Sequence, residues 1–347
     1  MPIEQHFGES SPLSTGVEEE VMLLDAGTGE PVGAIRQLLA DTDTLELPGR
    51  LKTELHASVV ELNTDVCASA GEAADAIRAL RSSTSEALTA RGLRMAAAGS
   101  HPFAEPESLP ITDEKRYAEM VGYAGVTARR QGVNGLHVHV GMPSAAECMR
   151  TLETILPWMP LVLALSANSP YVAGRATGMA SNRAEILAQL PRSGAPPVFA
   201  SYAAWEDWVE RFIATGVMKD YTQLWWDVRP HPRFGTLEIR MPDQPTSVER
   251  TAGFVGLLRD LCEWALANPS PQPADRGIYQ QNRWAAARLG LGAELIHDGR
   301  LVSVRELYEQ LPVESSLDPE LSEASLQLRH GDPRAACADI VARTWPS

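Results

Sequence analysis

The chain has 347 residues, of which 44% are apolar and 22% are charged, the composition of an ordinary globular protein. This length allows one large domain or two smaller ones, and the composition excludes a chain that is disordered throughout. Asp and Glu number 45 against 30 Lys and Arg, so the formal net charge is −15. We therefore expect no nucleic-acid partner, although divalent cations can reverse the sign of the charge at one site.

The cysteines and the apolar segments point to a protein of a reducing compartment. The four cysteines show no C-x-x-C spacing, so they predict neither a disulfide framework nor a zinc site, and a cytoplasmic location is expected. The N-terminus lacks the basic and apolar regions of a signal peptide. The longest mainly apolar stretch, 155–167, contains two prolines and is too short to cross a bilayer. It predicts a buried helix and no membrane partner.

Strands and helices are mixed along the chain. The pattern predicts strands over 17–24, 52–63, 93–99, 136–142 and 235–241. Helices are predicted over 71–91, 147–168 and 247–267, and around the apolar face that starts at Trp205. A long loop with a short helix at 183–190 is predicted over 175–197, and loops of this length are more often functional than idle. The strands tend to alternate, which favours an α+β protein with an antiparallel sheet.

A proline-rich linker at 268–274 divides the chain. We expect one main domain over 1–268 and an extension over 269–347 that is helical and packs on the same domain.

Three consecutive acids near the N-terminus are the first candidate site residues. Residues i and i+2 of a strand share a face, so Glu18 and Glu20 point one way and Glu19 the other. Like charges on one face are unfavourable unless a cation lies between them. The alternative is an exposed acidic edge strand.

The second predicted strand carries Glu54 and Glu61. Their spacing of seven places them on opposite faces of a regular strand. A bulge or bend near Ala57 and Ser58 would bring both acids to one site. Without it, each is a solvated surface acid.

Two later strands repeat the same design. His137 and His139 share one face, where two neutral imidazoles can reach a metal or a phosphate. Glu238 and Arg240 share one face, where the acid can bind a cation and the arginine a phosphoryl oxygen. The alternatives are a hydrogen-bonded histidine pair and a plain salt bridge.

A sheet face with carboxylates and one or two imidazoles suits Mg²⁺ or Mn²⁺ better than zinc. Divalent ions among acids commonly hold the phosphates of ATP. The sequence contains none of the common nucleotide or hydrolase loop motifs. If ATP binds, metals and arginines must hold it, and five arginines lie in or beside Gly/Pro-rich segments: Arg175, Arg183, Arg229, Arg233 and Arg240.

Six segments in order resemble the bacterial glutamate–cysteine ligase type 2 family of ATP-dependent carboxylate–amine ligases, over roughly residues 12–265. They are Gly-Val-Glu-Glu-Glu at 16–20, Glu-Leu-His-Ala-Ser-Val-Val-Glu-Leu-Asn-Thr at 54–64, Gly-Ser-His-Pro-Phe at 99–103, Gly-Leu-His-Val-His-Val-Gly at 135–141, Thr-Gly-Met-Ala-Ser-Asn-Arg at 177–183 and Trp-Asp-Val-Arg-Pro-His-Pro-Arg-Phe-Gly-Thr-Leu-Glu-Ile-Arg at 226–240.

The resemblance implies a glutamine-synthetase-like core, an antiparallel sheet forming a funnel flanked by helices, with metals at its base. It implies ATP and Mg²⁺ (or Mn²⁺) as cofactors. The metal-binding positions would be Glu18, Glu20, Glu54, Glu61, His137 and Glu238. The match, not the spacing, brings Glu54 and Glu61 together. Contacts to the nucleotide are assigned to Arg229, Arg233, His139 and Arg240, and catalytic roles to Arg240, Glu238 and Arg183.

The implied reaction phosphorylates the γ-carboxylate of glutamate, and an amine such as cysteine then attacks the acyl phosphate. Arg183 or Arg229 can hold the α-carboxylate of glutamate, and the loop over 175–197 is a candidate lid. No residue identifies the amine, so cysteine, another amino acid and another metabolite amine stay open. The alternatives are a phosphotransferase of the guanidino-kinase type and a non-catalytic homologue. The resemblance also suggests a homo-oligomer.

Overall fold

In this computed structural model, which describes residues 3–345, one mainly antiparallel sheet organises the chain. Its strands in chain order are Thr15–Asp25 (β1), Gly49–Thr53 (β2), Val59–Thr64 (β3), Leu93–Ala96 (β4), Leu136–Gly141 (β5), Val228–His231 (β10) and Thr236–Ile239 (β11). They lie in the order β10-β11-β5-β1-β3-β2, with β4 paired to the far half of β1. The six remaining strands are Tyr171–Val172 (β6), Arg175–Ala176 (β7), Ser193–Gly194 (β8), Trp225–Trp226 (β9), Glu294–His297 (β12) and Arg300–Ser303 (β13).

Helices pack against the sheet and form most of the C-terminal part. They are Ile35–Thr42 (α1), Ala70–Thr89 (α2), Lys115–Ala124 (α3), Val126–Arg129 (α4), Ala145–Ile155 (α5), Met159–Ser166 (α6), Asn182–Leu187 (α7), Tyr202–Ala214 (α8), Val248–Ala267 (α9), Arg276–Leu289 (α10), Val304–Glu309 (α11), Glu323–Leu328 (α12) and Pro333–Thr344 (α13). Serine side chains cap the first turns of several of them, Ser69 for α2 and Ser247 for α9 among these. The α+β class and the antiparallel sheet predicted from the sequence are confirmed.

The main core lies between one face of the sheet and the helices α2 and α9. Val17, Val21 and Leu23 of β1 are at most 1% exposed and belong to it, with Val138 and Ile239 from neighbouring strands. Because strand side chains alternate, the intervening residues of β1 point to the opposite face. On that opposite face, Met22 and Leu24 pack against Cys337 and Ile340 of α13, and the end of β1 that holds Glu18 and Glu20 carries the polar groups described below.

Glu19 is the exception on the helix-covered face. It is fully buried and forms a bidentate ion pair with Arg81 of α2, with Nε–Oε2 at 2.7 Å and Nη2–Oε1 at 2.8 Å. Arg81 also donates to the backbone carbonyls of Pro245, Thr246 and Thr344. This pair therefore joins β1 to the start of α9 and to the end of α13.

Two predicted elements differ from the structure. The segment predicted as one strand over 52–63 is a hairpin, because β2 and β3 pair antiparallel with Thr53 opposite Val60. The prediction of helix throughout the C-terminal part is wrong at β12 and β13, which form a second hairpin. Its two-residue turn is Asp298-Gly299, and both residues have positive φ, at 48° and 74°. Asp-Gly is a strong hairpin signal of a mirror-image turn, and the sequence contained it.

The segment over 175–197, predicted as a long loop with a short helix at 183–190, contains a helix at Asn182–Leu187 and two short strands besides. Its centre is anchored because Ser181 donates to Asp243 at 2.7 Å. The segment 145–166 is long and apolar enough to cross a membrane by length and composition alone. However, 83% of its most apolar 18 residues are buried inside the protein. It is the buried helical segment that the sequence predicted, broken by a 3₁₀ turn at its prolines.

Candidate active site

The strand register aligns the polar side chains of five strands on one sheet face. Glu18 lies opposite His137, and Glu238 lies opposite both His139 and Arg229. Glu20 lies opposite Glu61 on the other side of β1. The period of two within each strand and the pairing between strands thus collect on one surface residues that are far apart in sequence.

A first group of ligand atoms is formed by Glu18, His139 and Glu238. One ligand atom from each lies within 4.8 Å of the others. Burial opposes ionisation of Glu18, but hydrogen bonds with His137 and His139 outweigh it and hold its pKa well below the usual range. Burial likewise lowers the pKa of His139, but Glu18 and Glu238 outweigh this and raise it. The group carries two ionised carboxylates and one imidazole.

Glu238 is held between two arginines. Arg229 grips it through Nε–Oε2 at 2.6 Å and Nη2–Oε1 at 3.0 Å, and Nη1 of Arg240 donates to its Oε1 at 2.7 Å. Burial would raise the pKa of Glu238, but the two guanidinium groups hold it well below its usual range. The predicted pairing of Glu238 with Arg240 is present. Arg240 keeps Nε and Nη2 without a hydrogen bond to any described residue.

A second group consists of Glu20, Glu54 and Glu61, again with ligand atoms within 4.8 Å. The β2–β3 hairpin brings Glu54, just after β2, back beside Glu61 on β3. Burial, Glu20 and Glu61 raise the pKa of Glu54 to about 8. Burial and Glu18, opposed by Lys52, raise the pKa of Glu61 to about 7. A reversal of the chain, not a bulge in one strand, is what unites these acids.

His137 lies between the two groups. Its Nδ1 is 3.1 Å from Glu18 Oε2, and its Nε2 is 3.8 Å from Glu20 Oε1. Burial and the charge of Arg240 lower its pKa, so the imidazole is neutral near pH 7. The structure groups His139, not His137, with Glu18 and Glu238, and the metal-binding role of His137 stays a prediction.

The two groups fit hard divalent cations. Both are dominated by carboxylate oxygen, and within the described part of the chain the second group has one ion pair with a lysine or arginine, between Lys52 Nζ and Glu61 Oε1 at 3.5 Å. Burial first, and repulsion between neighbouring carboxylates second, raise the pKa values of Glu54 and Glu61. Mg²⁺ or Mn²⁺ at each group would remove that repulsion.

Two cavities open from the metal-ligand surface and both touch Glu18. The first, here the Phe234 cavity, has a volume of about 590 Å³ and reaches His139. Its wall carries three cationic side chains and one exposed aromatic ring: Arg50, Lys52, Arg233 and Phe234. Arg50 and Lys52 are two residues apart on β2 and share one face. This period of two is visible in the sequence, but the two residues were not among the predicted site residues.

The second, here the Arg240 cavity, has a volume of about 340 Å³ and is lined by both Glu20 and Glu54. Its guanidinium groups belong to Arg116, Arg183, Arg229 and Arg240. Of the predicted arginines, Arg233 thus lies at the other cavity, and Arg175 lies in β7 and lines neither. Arg116 was not recognised from the sequence.

Arg183 is 3% exposed and is packed against Gly135. It donates to the backbone carbonyls of Arg240 and Met241, at 3.0 and 3.2 Å, so it supports the strand end that carries Arg240. A Cβ atom on Gly135 would meet Arg183 Nη2 at 2.0 Å, and the Gly135 amide donates to Glu20 Oε2 at 2.5 Å. Gly135 therefore allows a guanidinium and a carboxylate to approach the same backbone.

The strand that leads into Arg229 is fixed from the C-terminal part of the chain. Asp227 Oδ2 accepts hydrogen bonds from the Tyr279 hydroxyl at 2.8 Å and from Arg283 Nε at 2.9 Å. The backbone carbonyl of Asp227 accepts from the amide of Arg240 at 2.8 Å. Helix α10, beyond the predicted boundary at residue 268, thus supports the site.

A carboxylate-lined sheet face with arginines and two adjoining cavities can bind divalent cations and small anionic ligands. The sequence model of the glutamate-cysteine ligase family 2 matches residues 14–335, and the chain belongs to this family. The resemblance seen in the six sequence segments is confirmed, and the matched range extends across residue 268.

Relatives by sequence carry names of the same kind. The chain is 42% identical over 312 residues to "Putative glutamate--cysteine ligase 2-3" of Rubrobacter xylanophilus, covering 89% of this chain and 85% of that protein. It is 36% identical over 303 residues to "Putative glutamate--cysteine ligase 2" of Herpetosiphon aurantiacus, covering 86% and 77%. The chain is therefore a member of a ligase family.

Solved structures share the fold. A glutamate–cysteine ligase of Francisella tularensis in complex with AMP matches with a TM-score of 0.67 at 14% identity, over 99% of this chain and 89% of that one. A bifunctional glutathione synthetase of Pasteurella multocida matches with a TM-score of 0.65 at 16% identity, over 96% of this chain. The chain spans about half of the Pasteurella protein, 52%. The α+β fold with an antiparallel sheet is therefore shared with both of these ligases.

Proposed function

We propose that the chain is an ATP-dependent ligase that joins the γ-carboxylate of glutamate to an amine through an acyl phosphate. The observation that carries this proposal is the meeting of two cavities at Glu18, between two groups of ligands for divalent cations. Nucleotide and acceptor can then approach one reaction point from separate sides. Bound Mg²⁺ would neutralise the phosphate oxygens of ATP.

The Phe234 cavity is the proposed nucleotide site. Phe234 is 48% exposed and stacks on His231 at a centroid distance of 4.2 Å and an angle of 18°. Burial lowers the pKa of His231 to about 3, so a neutral ring supports the stack. A supported, exposed aromatic face suits a base, and Arg50 and Lys52 supply charge for phosphates in the same cavity.

The Arg240 cavity is the proposed acyl-transfer site. Arg240 directs open guanidinium donors at this cavity, and an arginine can bind the transferring phosphoryl oxygens bidentately. Burial lowers the pKa of Arg240, but Glu238 and its neighbouring acids outweigh this and raise it, so the charge is permanent. Arg116, with Nη1 unengaged by described residues, is suited to the α-carboxylate of glutamate.

Arg229 makes its hydrogen bonds to other groups of the protein, which leaves it little capacity to bind a substrate. Arg229 uses four of its five N–H groups on Glu238 and on the carbonyls of Thr222 and Leu224. We assign it to holding Glu238, which moves it away from the nucleotide role predicted from the sequence. The attacking amine must be neutral, and a carboxylate of the second group or the phosphate itself can take its proton.

An isotope experiment tests the proposal. With ATP, Mg²⁺ and L-glutamate labelled with ¹⁸O in the γ-carboxylate, an amine panel headed by L-cysteine should release ADP and ¹⁸O-labelled phosphate. The oxygen leaves with phosphate because the C–O bond of the acyl phosphate breaks as the C–N bond forms. A phosphotransferase would release ADP without free phosphate. Absence of ADP in folded protein that binds Mg-ATP would overturn the proposal.

Three further expectations accompany the proposal and rest on the sequence analysis. They are a cytoplasmic location, a homo-oligomer and small-molecule partners only. The four cysteines are free and buried, as a reducing compartment requires.

A further inference from the structure

We infer that the acceptor is a primary amine with an apolar group and without a carboxylate of its own. This inference rests on the proposed function and concerns the Arg240 cavity. Three observations carry it: an unpartnered hydrogen-bond acceptor in the cavity wall, an apolar wall beside it and the number of open guanidinium groups.

The unpartnered acceptor is Oε1 of Gln131. The residue lines the cavity and is 8% exposed, and this oxygen is buried with no hydrogen bond. The orientation of the amide is fixed, because Nε2 donates to the carbonyls of Thr127 and Ile186, both at 3.1 Å. Only an NH₂ group can serve two carbonyl oxygens. A buried acceptor without a donor is unfavourable, and the amino group of a substrate supplies the missing donor.

The apolar wall continues from Gln131 along α7. Ile186, which accepts from Gln131, is followed by Leu187 and Leu190, and both leucines line the cavity. Met120 of α3 and Trp225 line it as well. An alkyl or aryl group bound here would lose its contact with water, which favours apolar over polar acceptors.

The arginines of this cavity that have free N–H donors can bind the carboxylate of one amino acid, but not the carboxylates of two. Cysteine as acceptor would bring a second α-carboxylate beside that of glutamate and the phosphoryl group. Arg229 is engaged on Glu238, and Arg183 is 3% exposed and donates to two carbonyls. Arg240 and Arg116 remain, one for the phosphoryl group and one for glutamate. A carboxylate on the acceptor would thus be desolvated without a partner.

The experiment compares acceptors in the same ADP-release assay. The panel is isopentylamine, phenethylamine, methylamine, ethanolamine, L-leucine and L-cysteine, each at saturating Mg-ATP and L-glutamate. We expect kcat/KM for isopentylamine or phenethylamine to exceed that for methylamine and L-cysteine by roughly tenfold or more, as apolar contacts in a pocket allow. L-Leucine should fall below isopentylamine, because the two differ by the carboxylate.

Two variants separate the proposed contacts. Gln131→Leu should raise KM for every amine by roughly tenfold, the loss expected of one hydrogen bond, while KM for glutamate and ATP stays unchanged. Leu187→Asn should lower kcat/KM for isopentylamine but not for methylamine. Gln189→Leu, an exposed glutamine next to α7, is the matched control for the first variant and should match the wild type.

The outcomes separate the inference from the proposed function. If L-cysteine is the best acceptor, or if Gln131→Leu raises KM for glutamate in place of the amine, the inference is wrong and the ligase reaction stands. If Gln131→Leu does not fold, the Leu187→Asn comparison and the wild-type panel still decide. If no amine in the panel supports ADP release, the proposed function fails with it.

Discussion

Arg229 and Glu238 lie opposite each other on β10 and β11, and their side chains form a two-point ion pair at 2.6 and 3.0 Å. The pair fixes the plane of the carboxylate at the edge of the first ligand group. Since Arg240 holds the same carboxylate from its own strand, Glu238 has a single orientation before any substrate arrives.

Replacing Glu238 by Gln should therefore abolish most activity. The amide keeps the shape, but its NH₂ group replaces one carboxylate oxygen and cannot accept the hydrogen bond from Arg229 Nε, and the two guanidinium groups lose their counter-ion. We expect kcat for ADP release to fall roughly a hundredfold, the scale seen when groups that orient a charged site are removed. Glu294→Gln, on the exposed side of β12, is the matched control and should be unaffected. An unchanged kcat for Glu238→Gln would contradict the assigned site.

Replacement of Phe234 should change KM for ATP and leave KM for glutamate unchanged. Phe234→Ala removes the face proposed for the base and should raise KM for ATP roughly tenfold, since stacking of a base on an aromatic ring is worth about 1–3 kcal/mol. Phe234→Tyr retains the ring and should retain the KM. Steady-state kinetics with each substrate varied in turn provide the measurement. A change in KM for glutamate with no change for ATP would show that the two cavities are assigned in reverse.

Gly135→Ala should displace two site residues at once. The added Cβ would meet Arg183 Nη2 at 2.0 Å, and the same backbone amide binds Glu20. Because small misplacements in an active site are costly, kcat/KM for glutamate should fall roughly a hundredfold. In the control Gly122→Ala, no atom lies within 4 Å of the new Cβ, and the helix α3 should be stabilised by about 0.5–1 kcal/mol. Equal activity of the two variants would refute the role given to Gly135.

Loss of the buried ion pair between Glu19 and Arg81 should lower the free energy of unfolding much more than loss of a neighbouring surface pair. Arg81→Ala leaves a carboxylate buried and should lower the free energy of unfolding by about 3–5 kcal/mol. One turn earlier, Arg78 pairs with Asp75 at 2.9 Å on an exposed surface, and Arg78→Ala should cost about 0.5 kcal/mol or less. Urea unfolding followed by circular dichroism measures both. Similar losses for the two variants would contradict this assignment.

The stability of the metal-free protein should fall as the pH rises. The pKa of Glu54 is about 8 in the folded chain against an ordinary 4.5, so the folded state binds more protons than the unfolded state between these values. The stabilisation is complete below about pH 4.5 and is lost as the pH passes about 8. The pKa of Glu61, at about 7, acts in the same direction.

Mg²⁺ or Mn²⁺ should reverse this dependence, because cations bind the deprotonated acids. The increase of Tm on adding the metal should be larger near pH 8 than near pH 6, as thermal unfolding in the presence of EDTA or metal can measure. Glu54→Gln removes one of the titrating acids and should flatten the pH dependence of the metal-free protein. If the Tm of metal-free Glu54→Gln depends on pH as steeply as that of the wild type, groups other than Glu54 cause the pH dependence.

The sequence predicted much of the sheet because alternation is a local property. The faces of Glu18 with Glu20, of His137 with His139 and of Glu238 with Arg240 follow from a period of two within single strands. The grouping of His139 with Glu18 and Glu238 depends on the register between β5, β1 and β11, which alternation within one strand does not specify.

What the sequence did not predict depends on distant contacts. Glu19 meets Arg81 across 62 residues, and Gln131 is oriented by a carbonyl 55 residues away. The β2–β3 reversal was missed because the five residues between the strands, 54–58, include no Gly or Pro to mark a turn. The β12–β13 hairpin, by contrast, carried its Asp-Gly signal and was overlooked in a region read as helical.

The hydrogen bonds from Tyr279 and Arg283 to Asp227 bear on how the protein can be shortened. A version that stops at residue 268 would keep every proposed metal ligand and every arginine of the site. It would nevertheless leave the Asp227 carboxylate, now 7% exposed, without those two donors, directly beneath the backbone bond that holds Arg240. The smallest functional unit must therefore include helix α10, and a truncation at the proline-rich segment before it should impair the site.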